Sequence, residues 1–213
     1  MLFAGVRQFA TEEGILYTFQ YGGGFMVILI GGSSHVGKTL VARRLVAKSG
    51  YDCIPLDFLK EAFQRSGIGN PGDRDDYQMR YWMWPFVVQI IKKAVASDRS
   101  LILEGCYIPA EWAQSFTKGE LGNIRCVFIV MSEGYLRTRF DEVKDHAQDA
   151  ELRGTEPLDL GRLINCSAEF REQCIGTGTY YIEIDGAYDL DSICDAVEAV
   201  IEDPDPAERG IVL

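Results

Sequence analysis

The chain has no run of lysines and arginines. Its 21 basic residues are outnumbered by 32 acidic ones, for a net charge of −11, and that balance argues against a surface built to wrap nucleic acid. It has no CxxC pair. Cys53, Cys106, Cys126, Cys166, Cys174 and Cys194 are scattered, most of them inside apolar stretches, as reduced thiols of a cytoplasmic core are. Cys166 and Cys174 lie close together, but their spacing is wrong for half of a zinc site. Nowhere does an apolar run approach the roughly 18 residues of a membrane span. The N-terminus lacks the basic-then-apolar order of a secretory signal, and repeats and low-complexity tracts are missing too. The expectation is a soluble, cytoplasmic protein. At 213 residues and 47% apolar content, the chain has enough material for one domain with a full core.

What is present is more specific. Gly32-Ser33-Ser34-His35-Val36-Gly37-Lys38-Thr39 matches the phosphate loop GxxxxGK[ST], and it lies between an apolar run at 25–30 and a segment with helical periodicity. Glycines let the backbone curl so that its N–H groups point at phosphate oxygens, and the positive end of the following helix adds attraction. In such a loop Lys38 reaches the β- and γ-phosphates and Thr39 ligates Mg²⁺. Binding of a nucleoside triphosphate is therefore the starting expectation.

The remaining pattern alternates strands and helices. Strands are expected at 25–30, 52–56, 101–104, 124–131 and 180–184. Helices are expected at 38–49, 57–65, 76–96, 133–147, 158–174 and 190–201, with Pro85 kinking the third or starting a new one. That alternation implies a parallel sheet with helices on both faces. Residues 1–24 fit the pattern poorly. They read as an extension, with a short strand at 15–21, or as an extra strand at a sheet edge. Residues 203–213 read as a loose tail.

Candidate chemistry gathers at the carboxyl edge of the sheet, where ligands of open α/β sheets bind. Glu104 ends the third strand, where a carboxylate holds Mg²⁺ directly or through water, or takes a proton. Asp57 ends the second strand, facing an acceptor across from the phosphate loop, and is equally placed to cap its own helix. Arg137 and Arg139 follow the fourth strand, with Arg153, Arg162 and Arg171 beyond. Guanidinium forks on a closing segment can stabilise the charge of a transferring phosphoryl group. Arg74, Arg80, Tyr77, Tyr81, Trp82 and Trp84 crowd the helix at 76–96. Most of those aromatics are core packing, and one or two could line a pocket.

At these residues the chain resembles the small P-loop kinases of the adenylate kinase, shikimate kinase and chloramphenicol phosphotransferase kind, over roughly residues 25–203. The resemblance implies a three-layer α/β fold and a five-stranded parallel sheet of order 2-3-1-4-5. It also implies an arginine-bearing helical lid at about 140–175, and ATP and Mg²⁺ as cofactors. Leu101-Ile102-Leu103-Glu104-Gly105 looks like the strand-three segment of adenylate kinases, with glutamate for aspartate. Ile184-Asp185-Gly186-Ala187 looks like their adenine-side loop, which implies that Gly186 and Ala187 meet the base. Leu56-Asp57-Phe58-Leu59 is similar to the acceptor-side aspartate segment of the other two. Where adenylate kinases continue with Phe-Pro-Arg, this chain has Cys106-Tyr107-Ile108-Pro109, a departure that argues against a nucleoside monophosphate acceptor.

The sequence thus leads to an ATP-dependent kinase acting on a hydroxyl of a small metabolite or nucleoside-like compound. Asp57 is the preferred base and Glu104 the second. Arg137 or Arg139 would close over the reacting group, and Arg74, Arg80, Tyr81 and Arg153 would lie toward the acceptor. Neither nucleic acid nor a membrane is expected as a partner. Two alternatives stand beside this reading: a nucleoside monophosphate kinase, and a nucleotide-binding switch or weak ATPase. The chain lacks the NKxD motif of GTPases.

Overall fold

The computed structural model describes residues 9–10, 16–17, 24–69, 72, 74–150, 158–202 and 210–213. Two short strands, β1 (Phe9–Ala10) and β2 (Leu16–Tyr17), pair antiparallel in a sheet of their own. The main sheet contains β3 (Val27–Gly32), β4 (Asp52–Pro55), β5 (Leu101–Glu104), β6 (Ile124–Met131), β7 (Tyr180–Ile184) and β8 (Gly210–Val212). Its spatial order is β4-β5-β3-β6-β7-β8, and every neighbouring pair is parallel. This is the expected order with a sixth strand added at the β7 edge.

Helices cover both faces because β3 is apolar at every position along its length. Ile28 and Ile30 enter one core with Val41 and Leu45 of α1 (Lys38–Ser49) and Ile193 and Val197 of α7 (Leu190–Glu202). Val27 and Leu29 enter the other with Met79, Met83 and Val87 of α3 (Asp76–Ala96) and Phe170 of α6 (Leu160–Thr177). The alternation is the two-residue period of a strand buried on both faces. Between these lie α2 (Leu56–Ser66), α4 (Lys118–Leu121) and α5 (Glu133–Ala150).

Three expectations need correction. Residues 203–213 are not all loose: Gly210–Val212 is a strand, with Ile211 opposite Ile182, and it covers backbone groups that β7 would otherwise leave unpaired. Pro85 does not divide α3, which continues through it as one helix. Pro85 and Tyr81 are both exposed, so water can bond the Tyr81 carbonyl that proline leaves without a donor. The break falls instead in α5, where Arg139 leaves helical geometry (φ −122°, ψ 18°) and two helices meet at a kink. Asp57 does not cap α2, since Pro55 occupies that position and Asp57 lies in the first turn, where its charge favours the helix's positive end.

Candidate active site

The phosphate-loop sequence connects β3 to α1 through a backbone that only a glycine-rich stretch can follow. Gly32 has φ +120°, and a Cβ there would lie 1.9 Å from the Ile129 carbonyl oxygen of the neighbouring strand. Gly37 has φ +86°, and a Cβ there would lie 2.0 Å from the Tyr188 hydroxyl. His35 also takes a positive φ, 63°. Gly37 offers the first turn of α1 no capping side chain, so no cap competes with an anion for the helix's leading N–H groups.

Lys38 is buried and folded back over the loop. Its ammonium donates to the Ser33 carbonyl at 2.5 Å and to the Cys106 sulfur at 3.3 Å. Thr39 Oγ1 donates to Glu104 Oε1 at 3.1 Å. Glu104 is only 2% exposed and stands in register between Ile30 of β3 and Pro55 of β4. The chain then turns at Gly105 (φ +152°), where a Cβ would approach Leu56 Cβ to 2.9 Å. Strand register therefore brings a hydroxyl and a carboxylate together beside the lysine.

Helix α6 seals the loop from the side. Ser33 and Ser167 share a buried hydroxyl contact at 2.8 Å, and the Met131 N–H donates to Ser167 Oγ at 3.4 Å. One residue along the loop, Ser34 Oγ lies 3.6 Å from the Cys106 sulfur. Burial and the neighbouring Cys106 push the Cys166 thiol up to about 11, partly offset by Arg80, Lys38 and the Ser34 N–H.

On the α2–α3 side, Arg80 is 3% exposed. Its Nε donates to the Cys106 carbonyl at 3.1 Å and its Nη1 to Glu169 at 3.1 Å, and the guanidinium lies 4.0 Å from the centre of the Phe170 ring. Lys60 donates to the Tyr107 hydroxyl at 2.7 Å and to Asp76 at 3.1 Å, and Tyr107 donates to Asp76 at 3.2 Å. Burial alone would raise the Asp76 carboxyl. The Lys60 ammonium, the Tyr107 hydroxyl and the charge of Arg162 outweigh it and hold the carboxyl below its ordinary range. Burial, then the charges of Asp76 and Asp57, raise Tyr107 far above the ordinary phenol value, so it remains a neutral donor.

The structure brings Lys38, Thr39 and Glu104 together, with Arg80 reaching the same turn through the Cys106 carbonyl. Arg137 and Arg139 are exposed and bonded to Glu133 and Glu142 on their own helix. Arg74 stacks over Trp82 at 5.2 Å. Tyr81 donates to Glu111 at 3.3 Å and packs beside Tyr77, among exposed aromatics of α2 and α3. Arg171 is bonded to Glu183. Arg153 lies outside the described residues. The Gly186 N–H donates to the Leu213 carbonyl at 2.9 Å, and Ala187 is exposed.

Sequence reasoning missed Lys60, Tyr107, Cys106, Ser167 and its neighbour Cys166. Lys60 lies three residues after Asp57, on the same face of α2, and Tyr107 follows Glu104-Gly105 closely, so both carried a local signal. Ser167 and Cys166 carried none, because only tertiary packing brings α6 to the loop. Among the described residues no group of three His, Cys, Asp or Glu side chains is arranged to hold a metal, and no helix is long and apolar enough to cross a membrane.

No protein-family model matches the sequence, and no curated protein matches it. Among solved structures the chain is similar to a gluconokinase from Sinorhizobium meliloti 1021, at 18% identity and a TM-score of 0.51, covering 83% of this chain and 91% of that one. It is also similar to a shikimate kinase from Bacteroides thetaiotaomicron, at 13% identity and a TM-score of 0.49, covering 83% and 98%. With the order of the sheet, the gluconokinase likeness shows that the chain has the parallel α/β fold of the small P-loop kinases.

Proposed function

We propose that the chain is a small-molecule kinase that moves the γ-phosphoryl group of ATP to an acceptor hydroxyl. The observation that carries this reading is the contact of Thr39 with the buried Glu104 beside Lys38, because a phosphate loop used for phosphoryl transfer needs a metal-ordering carboxylate at that edge. The donor set fits Mg²⁺: one hydroxyl and one carboxylate, both hard oxygen ligands, leave positions for water and phosphate oxygens. When bound, the ion would neutralise charge on the phosphate oxygens.

The backbone N–H groups from Gly32 to Thr39 would hold the phosphates, and Lys38 would exchange its bonds to Ser33 and Cys106 for phosphate oxygens. Asp57 would accept the acceptor's hydroxyl proton, with Glu104 the second choice. Lys60, Tyr107 and Arg80, which meet at the turn after β5, would orient the acceptor. The kink at Arg139 supports a role for α5 as a lid hinge, since rotation there would move the residues that follow it, while Arg137 and Arg139 would reach the transferring group by releasing Glu133 and Glu142. That a protein of the same fold is a gluconokinase supports a small hydroxylated acceptor.

The test is ADP production from ATP and Mg²⁺ across sugars, hydroxy acids, nucleosides and nucleoside monophosphates. Stimulation by one hydroxyl compound, abolished by Lys38→Ala in a protein that remains folded, is the expected result. Stimulation by AMP, CMP or UMP alone would replace the reading with a nucleoside monophosphate kinase. Tight ATP binding without any stimulating acceptor would replace it with a nucleotide-binding switch.

A further inference from the structure

We propose that β8 takes up the backbone donors with which the β7–α7 loop would read a base, so that the chain accepts any nucleoside triphosphate, purine or pyrimidine, as phosphoryl donor with nearly equal affinity. The inference rests on the phosphate-loop reading above and adds the class of donor. The loop between β7 and α7 flanks the phosphate loop. Tyr188 stands against Gly37, where a Cβ would lie 2.0 Å from its hydroxyl, and Asp185 accepts from the hydroxyl of Ser132, the residue after β6. The acceptor groups proposed above belong to the opposite side of the sheet order, around β4 and β5. A nucleotide whose phosphates lie in the loop is thus left the side of residues 185–188 for its base.

Telling one base from another takes donors and acceptors left open to its edge, and a site without them discriminates weakly. Here the leading donors are taken. The Leu213 carbonyl accepts from the Asp185 N–H at 2.8 Å and from the Gly186 N–H at 2.9 Å, and the Leu213 N–H donates to the Glu183 carbonyl at 2.9 Å. Register holds β8 in that position, with Gly210 opposite Tyr181, Ile211 opposite Ile182 and Val212 opposite Glu183. Ile211 and Leu213 also pack against the core shared by α1 and α7. A base that took either N–H would break a bond to Leu213 for each one it made, so the exchange brings little net gain. The Asp185 carboxylate is engaged by Ser132, and the exposed Ala187 presents a methyl group that meets every base face alike. Affinity then comes from the phosphates, held by the loop's N–H groups and Lys38, and all nucleoside triphosphates share them.

The experiment titrates the full chain with ATP, GTP, CTP and UTP by calorimetry, each in excess Mg²⁺. The expected result is a set of dissociation constants within about fivefold of one another. A Gly210→Val/Ile211→Asp variant supplies the contrast. A Cβ at position 210 would meet the Tyr181 ring at 2.6 Å, and a carboxylate at 211 would stand in apolar packing, so β8 cannot dock. The amides of Asp185 and Gly186 should then exchange faster, and the constants should spread beyond about fivefold as the freed N–H groups meet base acceptors at different positions. A wider spread than that in the parent overturns the proposal, and the parent decides alone if the variant does not fold. An equally narrow spread in a folded variant whose Asp185 and Gly186 amides have lost protection also overturns it. Equal binding without any stimulating acceptor leaves this proposal standing and removes the kinase reading, whereas failure of every triphosphate to bind removes both.

Discussion

Replacing Glu104 with glutamine separates its two possible duties. The amide keeps the side chain's shape and can still accept from Thr39 Oγ1, now 3.1 Å from the carboxylate, but it carries no charge. For folding the change should be nearly neutral. Glu104 is 2% exposed, and removing a buried charge offsets the roughly 0.5–1.5 kcal/mol that a weakened hydrogen bond costs. For the metal the change should be large. A carboxylate acting on Mg²⁺ through Thr39 or a water behaves as an outer-shell partner, and losing one lowers metal affinity roughly 10–100-fold, about 1.4–2.7 kcal/mol. The assay is ATP binding by calorimetry, titrated with Mg²⁺ and repeated in chelator, beside a thermal melt of each protein. Glu104→Gln should melt within a few degrees of the parent, bind ATP equally in chelator, and need about 10–100-fold more Mg²⁺ for the same strengthening. An unchanged Mg²⁺ requirement would refute the argument, since Glu104 would then be a buried partner of Thr39 and nothing more.

Further outcomes can be stated together. Gly37→Ala should destabilise the chain by more than the roughly 1–2 kcal/mol cost of a left-handed non-glycine residue, because its Cβ also meets the Tyr188 hydroxyl at 2.0 Å. Adding Tyr188→Phe should relieve most of the clash, leaving the ring Cζ at 3.2 Å and the backbone cost, and denaturant melts of the two variants measure the difference. Tyr188→Phe alone should leave stability unchanged or raise it, since that buried hydroxyl has no hydrogen-bond partner among the described residues. Asp76, held below its ordinary value of 3.8, contributes stability that is fully present above that pH and is lost as pH falls through the lower folded value. Asp76→Asn should therefore be less stable than the parent at neutral pH, with the gap closing below about pH 4, as read from denaturant midpoints against pH.

The parts of this fold that sequence revealed are those where local pattern and tertiary position agree. The run 124–131 is apolar nearly throughout because β6 is covered on both faces, and the phosphate loop announces itself because Gly32 and Gly37 occupy backbone space closed to other residues. The meeting of Thr39 with Glu104 was legible in outline, as both lie at the carboxyl edge of neighbouring strands. Strand β8 was not, for three residues after an acidic stretch give too short a period to read. The break in α5 was also hidden: Arg139 is an ordinary helix former, and nothing near it matches the proline that drew attention to α3. Cys106 gave no signal of its place beside Ser34 and Lys38, because those neighbours come from another segment.

The partners of the phosphate loop have a consequence for how the protein folds. Ser33 meets Ser167 across 134 positions of chain, Lys38 meets Cys106 across 68, and Thr39 meets Glu104 across 65. Contacts so distant in sequence must pay their loop-closure entropy before they return any stability. The loop therefore cannot acquire its final curvature while β3 and α1 exist alone. Its final shape waits for the β5 turn and for α6, which makes the phosphate-loop motif a late product of the folding reaction. In native-state hydrogen exchange, the N–H groups of Ser33 and Val41, bonded to Ile129 and Gly37, should lose protection together with the amides of α6 rather than with those of α1 alone.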